Sequence, residues 1–222
     1  SAMLVTRAWV RVSESQNITV TGSARKAVQS DLILWRGTIT REATVLSEAQ
    51  HRLKDDVTLL TDLLGRNYVT NFVFSPIQIQ EMRAQQRMDS DTSAQKLVGY
   101  RLFQTVELRL GSMDVVTRLD SESATLVEKG VLFVLSAPEF IYTKAGDAKV
   151  EMLAEATRDA RVRAEQIATQ GGRGIARLQS ARMGVFQITP LHSIQTSWDG
   201  MNDTTSFEKT ITSVVSATFA MQ

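Results

Sequence analysis

The sequence predicts an α+β domain in which long helices pack on one face of a largely antiparallel sheet. Three observations predict this class: several segments alternate apolar and polar residues, three segments have helical periodicity, and the two kinds are interleaved along the chain. The most distinct helical segment is alanine-rich and spans residues 145–174. Small or apolar side chains share one of its faces and predict close packing on a sheet: Leu153, Ala156, Ala160, Ala164, Ile167 and Gly171.

Start and stop signals bound the three predicted helices. Asp147 is a candidate N-cap of the alanine-rich helix, and Gly171-Gly172 supply its C-cap. A helix capped by Thr44 is predicted to run to Leu64, and a shorter one capped by Ser112 to Lys129. The Thr44 helix carries a long apolar stripe and is therefore the expected core helix.

The strands are predicted from period-two alternation and from turn residues. Two strands, 17–22 and 31–41, are expected to be joined by a polar loop, and the next changes register at Ser75-Pro76. Residues 85–96 are expected to form a polar hairpin loop before a strand over 97–110. The remaining predicted strands cover 131–142 and 207–221, and residues 174–183 and 185–189 are predicted to form one bent strand or two, followed by a turn-rich loop over 190–206.

Composition excludes several function classes. The chain has 222 residues with 25 basic and 24 acidic side chains, and this balance provides no field to attract nucleic acid or an anionic membrane. The absence of cysteine excludes disulfides, thiolate catalysis and cysteine-ligated metals. The longest apolar run, 131–135, is far shorter than the roughly 20 residues of a membrane span.

Residues 1–16 are interpreted as a lead-in and residues 17–222 as a single domain. Ser1-Ala2-Met3 is typical of a cleaved tag, and the rest of the lead-in is compatible with a juxtamembrane segment. Any membrane association is therefore expected only through an N-terminal anchor that this sequence lacks.

The few chemistry-bearing motifs favour structural roles. His51 and His192 lie in no ligand-spaced or triad-like cluster. Residues 88–93 begin like a calcium loop, but Ala94 and Tyr100 stand where that loop needs glycine and a bidentate acid. We therefore predict no catalytic residue, no metal site and no cofactor.

Other conspicuous segments have equally simple interpretations. Residues 171–174 follow a helix and lack the Lys-Ser/Thr of a phosphate loop, so they are interpreted as its C-cap. Asp55-Asp56 is interpreted as part of a solvated helix face, and 198–200 as a turn with an exposed tryptophan. Three arginines alternate with acids at helical spacing and predict ion pairs: Arg158, Arg161 and Arg163.

Two stretches together resemble the SIMPL-domain family, which includes bacterial periplasmic immunogenic proteins. Residues 18–39, ITVTGSARKAVQSDLILWRGTI, are similar to the family's opening strand, small-residue turn and second strand. Residues 155–180, EATRDARVRAEQIATQGGRGIARLQS, are similar to its alanine-rich helix, glycine stop and following strand. Residues 171–174 depart from the Leu-Gly pairs found in many members.

The resemblance implies a periplasmic or otherwise extracytoplasmic protein without established enzymatic activity. It also implies self-association, since one member forms a ring-like, channel-shaped homo-oligomer, and it links the family to oxidative-stress tolerance. We accordingly expect a non-enzymatic SIMPL-like domain that forms a homo-oligomer and binds no nucleic acid. The alternative is a binding module for a small molecule or envelope component, using the 190–206 loop and Trp198.

Overall fold

The computed structural model describes residues 17–87, 93–193 and 199–222. The described residues form nine strands and three helices. In chain order these are β1 (Asn17–Gln29), β2 (Leu32–Ala43), α1 (Leu46–Arg66), β3 (Phe72–Phe74), β4 (Gln78–Arg87), β5 (Ser93–Leu110), α2 (Met113–Glu128), β6 (Leu132–Leu135), β7 (Glu139–Ile141), α3 (Ala145–Gln170), β8 (Ile175–Pro190) and β9 (Glu208–Met221).

These elements form two compact units. Of the described residues, the terminal unit contains 17–30 and those from 142 onward, whereas the central unit contains those between 31 and 141. All the paired strands run antiparallel and each sheet carries its helices on one face, which confirms the predicted fold class. The strands form two sheets, one in each unit. The prediction of a single domain over 17–222 stays a prediction.

In the terminal unit, α3 lies on a three-stranded sheet of order β1-β9-β8. The buried residues of α3 recur at every fourth position: Ala148, Met152, Ala156, Ala160, Ala164 and Ala168. The prediction of the buried stripe is therefore confirmed for the middle of the helix. It was wrong near the end, where Ile167 is 57% exposed and Gly171 is exposed. A strict four-residue row is inclined to the helix axis, and such an incline matches a twisted sheet.

Gly22 shows how closely helix and sheet approach each other. A Cβ atom at Gly22 would lie 2.1 Å from the Ala156 carbonyl oxygen and 2.4 Å from the Ala160 nitrogen. The strand therefore tolerates no side chain here, and the facing helix positions are alanine for the same reason. Close approach of small residues, predicted from the sequence, is confirmed.

In the central unit, α1 and α2 pack on a sheet whose inner strands are β5 and β2. On the outer side of β5 lie β3 and β4, and on the outer side of β2 lie β6 and β7. Trp35 is buried and donates its indole N–H to the Ser136 carbonyl oxygen at 2.7 Å. The largest fully buried side chains of this unit are aliphatic: Ile33, Ile39, Leu53, Leu60, Leu63, Leu64, Leu102, Leu108 and Leu126.

Several predicted boundaries were wrong because pairing overrode local sequence. The expected polar loop over 23–30 is mostly strand, since β1 pairs with β9 as far as Gln29. The expected hairpin loop over 85–96 is mostly strand for the same reason, with pairing as far as Arg87 and Ser93. The register change at Ser75-Pro76 instead separates two strands, β3 and β4.

The predicted caps had mixed outcomes. Ser112 accepts a hydrogen bond from the Asp114 N–H, as expected. The N-cap of α1 is Val45 rather than Thr44, and that of α3 is Lys144 rather than Asp147, which lies in the first turn. The side chain of neither N-cap residue makes a capping hydrogen bond. Within the described residues, none of the helices is long and apolar enough to cross a membrane.

Candidate functional site

The most distinctive surface of the central unit is a two-stranded extension that we call the hairpin arm, comprising residues 82–87 and 93–99. The pairing of β5 with β2 ends where Tyr100 faces Ala43. From Gly99 to Ser93, β5 is therefore paired with β4 alone. At about 3.4 Å per residue, the arm extends roughly 20 Å beyond the inner strands.

The base of the arm depends on a glycine and on an irregularity in the ladder. A Cβ atom at Gly99 would lie 2.7 Å from the Ala43 carbonyl oxygen and 3.0 Å from the Met82 methyl group. The register of β4 and β5 shifts between Met82 and Arg83, which is typical of a β-bulge. The sequence thus directs the arm away from β2 at one defined point.

Exposed apolar side chains gather on the arm and beside its base. Ile79 is 57% exposed although it lies in a strand. The others are also exposed: Val45, Ile77, Leu97 and Val98. Strand edges without a pairing partner next to exposed apolar side chains are typical of a surface that pairs with another chain.

Apart from the exposed Lys96, the described charged groups near the arm form local ion pairs. Glu81 and Arg83 are 2.6 Å apart, and Arg101 lies 2.5 Å from Glu42 at the base. All four side chains are about half exposed, so each pair contributes about 1 kcal/mol or less to stability. The apolar side chains and the backbone edges are therefore the groups of the arm with the largest capacity for association.

The structure places the two histidines in different units. His51 is exposed on α1 in the central unit. His192 is exposed in the terminal unit, in a turn where its φ of 66° lies in the left-handed region. In the described part of the chain, no group of three or more His, Cys, Asp or Glu side chains is arranged to hold a metal ion.

The interpretation of Asp55-Asp56 as a solvated face was wrong for one of the two residues. Asp55 is exposed, but Asp56 is buried and accepts two hydrogen bonds from the Arg41 guanidinium. This hydrogen bonding raises the pKa of Arg41. Asp56 lies three residues after Leu53 and four before Leu60, and this position on the apolar stripe was the available signal.

The remaining motifs of α3 are structural. Gly172 has a φ of 70°, and the Arg173 N–H donates to the Ala168 carbonyl oxygen, so residues 171–174 form the predicted helix end. The predicted ion pairs are confirmed, because Arg158, Arg161 and Arg163 each reach an acid on the same helix within 2.9 Å. These arginines are therefore neutralised locally.

A buried ion pair in the terminal unit was not predicted. Lys209 is fully buried and lies 3.0 Å from the carboxylate of Asp203, which is itself 6% exposed. Asp203 also accepts hydrogen bonds from Thr205 and from the Ser206 N–H. Lys209 has the same strand parity as Ile211 and Val215, and this alternation was the signal that it faces inward.

Two motifs fall largely or wholly outside the described residues. The calcium-like segment is described only from Ser93 onward, and Trp198 is not described. In the described part of the 190–206 loop, Gly200 has a φ of 96°, which is typical of a turn.

A family model described as "SIMPL: Protein of unknown function (DUF541)" matches residues 18–219 of the chain. The chain belongs to the SIMPL family. The resemblance inferred from residues 18–39 and 155–180 is therefore confirmed, and the match extends over both units. A comparison with curated proteins gives no match to this SIMPL chain.

Two amidases of known structure are distantly similar to this SIMPL chain. An amidase of the hydantoinase/carbamoylase family from Burkholderia phymatum is 12% identical, with a TM-score of 0.29, over 64% of this chain and 36% of that one. A counterpart from Burkholderia multivorans is 14% identical, with a TM-score of 0.26, over 68% and 37%. This chain thus spans little more than a third of their length, and at these TM-scores the likeness carries no information about its activity.

Proposed function

We propose that this SIMPL chain is a non-enzymatic extracytoplasmic domain that forms a homo-oligomer through its hairpin arm. The observation that supports the proposal best is the arm itself, where both outer edges lack a strand partner among the described residues, beside exposed Leu97 and Val98. Burying such side chains against a second copy removes apolar surface from water, at roughly 25 cal/mol per Å². The open edges supply backbone hydrogen bonds that set the orientation of the partner.

The non-enzymatic part of the proposal follows from the chemistry that the chain carries. The sequence has no cysteine, and its two histidines belong to different units. The acids with the most extensive contacts, Asp56 and Asp203, are each bound to a cation and held inside the fold. Residues of this kind stabilise a scaffold and leave its surface to carry the function.

Self-association is tested by light scattering on size-exclusion fractions over a hundredfold range of concentration. We expect the mass to rise above the 24.6 kDa of one chain as concentration increases. Val98→Glu, on the arm, is expected to weaken the assembly, because a charge would have to be buried at the contact. Val150→Glu is the matched control, since Val150 is an exposed valine on the outer side of α3.

Two outcomes would contradict this mechanism. A wild-type chain that stays monomeric at all concentrations would remove the homo-oligomer. Equal association of Val98→Glu and wild type would exclude the arm as the contact.

The second part of the proposal is a contribution to envelope or oxidative-stress tolerance in an extracytoplasmic compartment. The compartment is tested first. It is tested with the full-length chain in spheroplasts, where an extracytoplasmic domain is digested by added protease and a cytoplasmic control protein is protected. Survival of a deletion strain under peroxide, with and without the arm variant, then tests the link between assembly and tolerance. Protection of the domain from protease would place it in the cytoplasm and contradict the proposal.

A further inference from the structure

The terminal unit has a groove between its edge strand β1 and the helix α3. The groove has a volume of about 480 Å³ and is open to solvent along β1. Its strand side is formed by residues 23–26, and its helix side includes Met152, Arg158 and Val162. Met152 is buried and forms an apolar floor, whereas Arg158 and Val162 are exposed along the rim.

The outer edge of β1 presents backbone groups to this groove. The Ser23 N–H donates to the Asp159 carboxylate at 2.8 Å, so it faces away from β9. In an antiparallel ladder such outward groups recur at every second residue, and the N–H and C=O groups of Arg25 and Ala27 therefore also face outward. In the described chain, the structure shows no partner from another element for these groups.

Among the described residues that line the groove, the three acids and two of the three cations are paired. Lys26 is bound to both carboxylate oxygens of Glu151, at 2.8 and 2.9 Å, and Arg158 is bound to Glu155 at 2.7 Å. Arg25, by contrast, has no ion-pair partner among the described residues. Arg25 has the opposite strand parity to Gly22, which faces α3, so this edge is complementary to negative charge on the side of β1 away from α3.

A second copy of the chain is a poor occupant of this edge. Two β1 strands related by a two-fold axis within the open stretch would place Arg25 and Lys26 near the same residues of the other copy. Like charges on facing strands are destabilising. An acidic strand from another protein places an opposite charge at this position.

We propose that the groove between β1 and α3 binds an extended acidic peptide of another protein by strand addition. The peptide backbone pairs with the outward groups of Arg25 and Ala27, and alternate side chains point to opposite sides. Acidic side chains on one side meet Arg25, while apolar ones on the other contact Val162 and the stem of Arg158. This inference does not depend on the homo-oligomer, because it concerns a different surface.

The probe is a fluorescein-labelled octapeptide of alternating valine and glutamate, measured by fluorescence anisotropy. We expect saturable binding of this peptide and at least tenfold weaker binding of the valine–lysine counterpart. A valine–glutamate peptide with N-methylated backbone is also expected to bind at least tenfold more weakly, because it cannot complete the ladder. Amide exchange measured by NMR should slow at Arg25 and Ala27 when the first peptide is added.

Variants then locate the site. Arg25→Glu is expected to weaken binding about five- to tenfold, since an attraction at an exposed site becomes a repulsion. Arg182→Glu is the matched control, because Arg182 is exposed on β8, the other edge strand of the same sheet. Ala27→Pro removes an outward N–H without a loss in the β1–β9 ladder, and it should weaken binding of the unmodified peptide.

The opposite results overturn the proposal. These are absence of binding at millimolar peptide, equal binding of the N-methylated peptide, or equal effects of Arg25→Glu and Arg182→Glu. Slow exchange at Arg25 and Ala27 in a peptide-free dimer would also overturn it, in favour of a second copy at this edge. If Ala27→Pro fails to fold, the peptide comparison and Arg25→Glu still decide the question.

Discussion

The close approach of β1 and α3 gives the most direct test of the packing argument. In a Gly22→Ala variant the new methyl group would lie 2.1 Å from the Ala156 carbonyl oxygen and 2.7 Å from the Ala160 methyl group. Carbon atoms in favourable contact are about 3.5 Å or more from their neighbours, so the helix must retreat by more than about 1 Å. The atoms in the way belong to the helix backbone or to a Cβ, and no change of rotamer can move them.

The expected cost combines strain with lost contacts. Overpacking a filled core lowers stability by about 1–3 kcal/mol. A gap of up to about 1 Å between helix and sheet also removes a quarter to a half of the van der Waals attraction of each affected contact. We therefore expect Gly22→Ala to lower the free energy of unfolding by about 3 kcal/mol. Urea denaturation followed by far-UV circular dichroism measures this as a lower midpoint.

The matched control is Gly146→Ala in α3, where a Cβ atom would have no neighbour within 4 Å. Alanine is the better helix former, so this variant should be as stable as wild type or up to about 1 kcal/mol more stable. A Gly22→Ala midpoint equal to that of wild type, at an unchanged slope, would refute the claim that the strand and helix are in tight backbone contact.

Two buried ion pairs give the remaining predictions. Asp56→Ala is expected to lower the free energy of unfolding by about 3 kcal/mol, because it leaves the Arg41 guanidinium without its carboxylate partner. Asp55→Ala, at an exposed site, should stay within about 0.5 kcal/mol of wild type. Thermal unfolding compares the two variants, and equal effects would refute the buried role of Asp56. Burial raises the pKa of Asp203, but hydrogen bonds from its neighbours and from Lys209 outweigh burial and lower it to about 2. The ionised Asp203 therefore contributes about 2 kcal/mol to the free energy of unfolding above pH 4, and this contribution is lost as the pH falls towards 2. Asp203→Asn should be less stable than wild type at neutral pH and show a smaller loss over this interval, and parallel pH curves would contradict the assignment.

The elements whose side chains follow one period were predictable from sequence. The alanine stripe of α3 was placed correctly at its centre because Ala156, Ala160 and Ala164 share one helix face whatever the partner is. Its end was misplaced because Ile167 is apolar yet lies off the four-residue row that the twisted sheet selects. Hydrophobicity alone does not carry that geometric information.

Strand lengths and buried charges were not predictable in the same way. Residues 23–29 are largely polar and remain in β1 because β9 supplies hydrogen bonds along that whole stretch. Asp56 and Lys209 are buried because each finds an opposite charge, and both partnerships are settled by tertiary structure. The hairpin arm was not predicted for a related reason: its polar composition is typical of a loop, and the pairing of β4 with β5 is not visible in the sequence pattern.

The pairing of β1 with β9 imposes an order in time on the folding of the chain. Asn17 faces Ala220 across this ladder, so the first described strand has no partner in its sheet until β9, about 200 residues later, is available. The central unit is continuous in sequence, and all its strand partners lie within residues 31–141. During synthesis from the N-terminus, the central unit can therefore complete its sheet first, while β1 remains unpaired. The terminal unit completes its sheet only when β9 is available, and a truncation that removes β9 would therefore disrupt β1 as well.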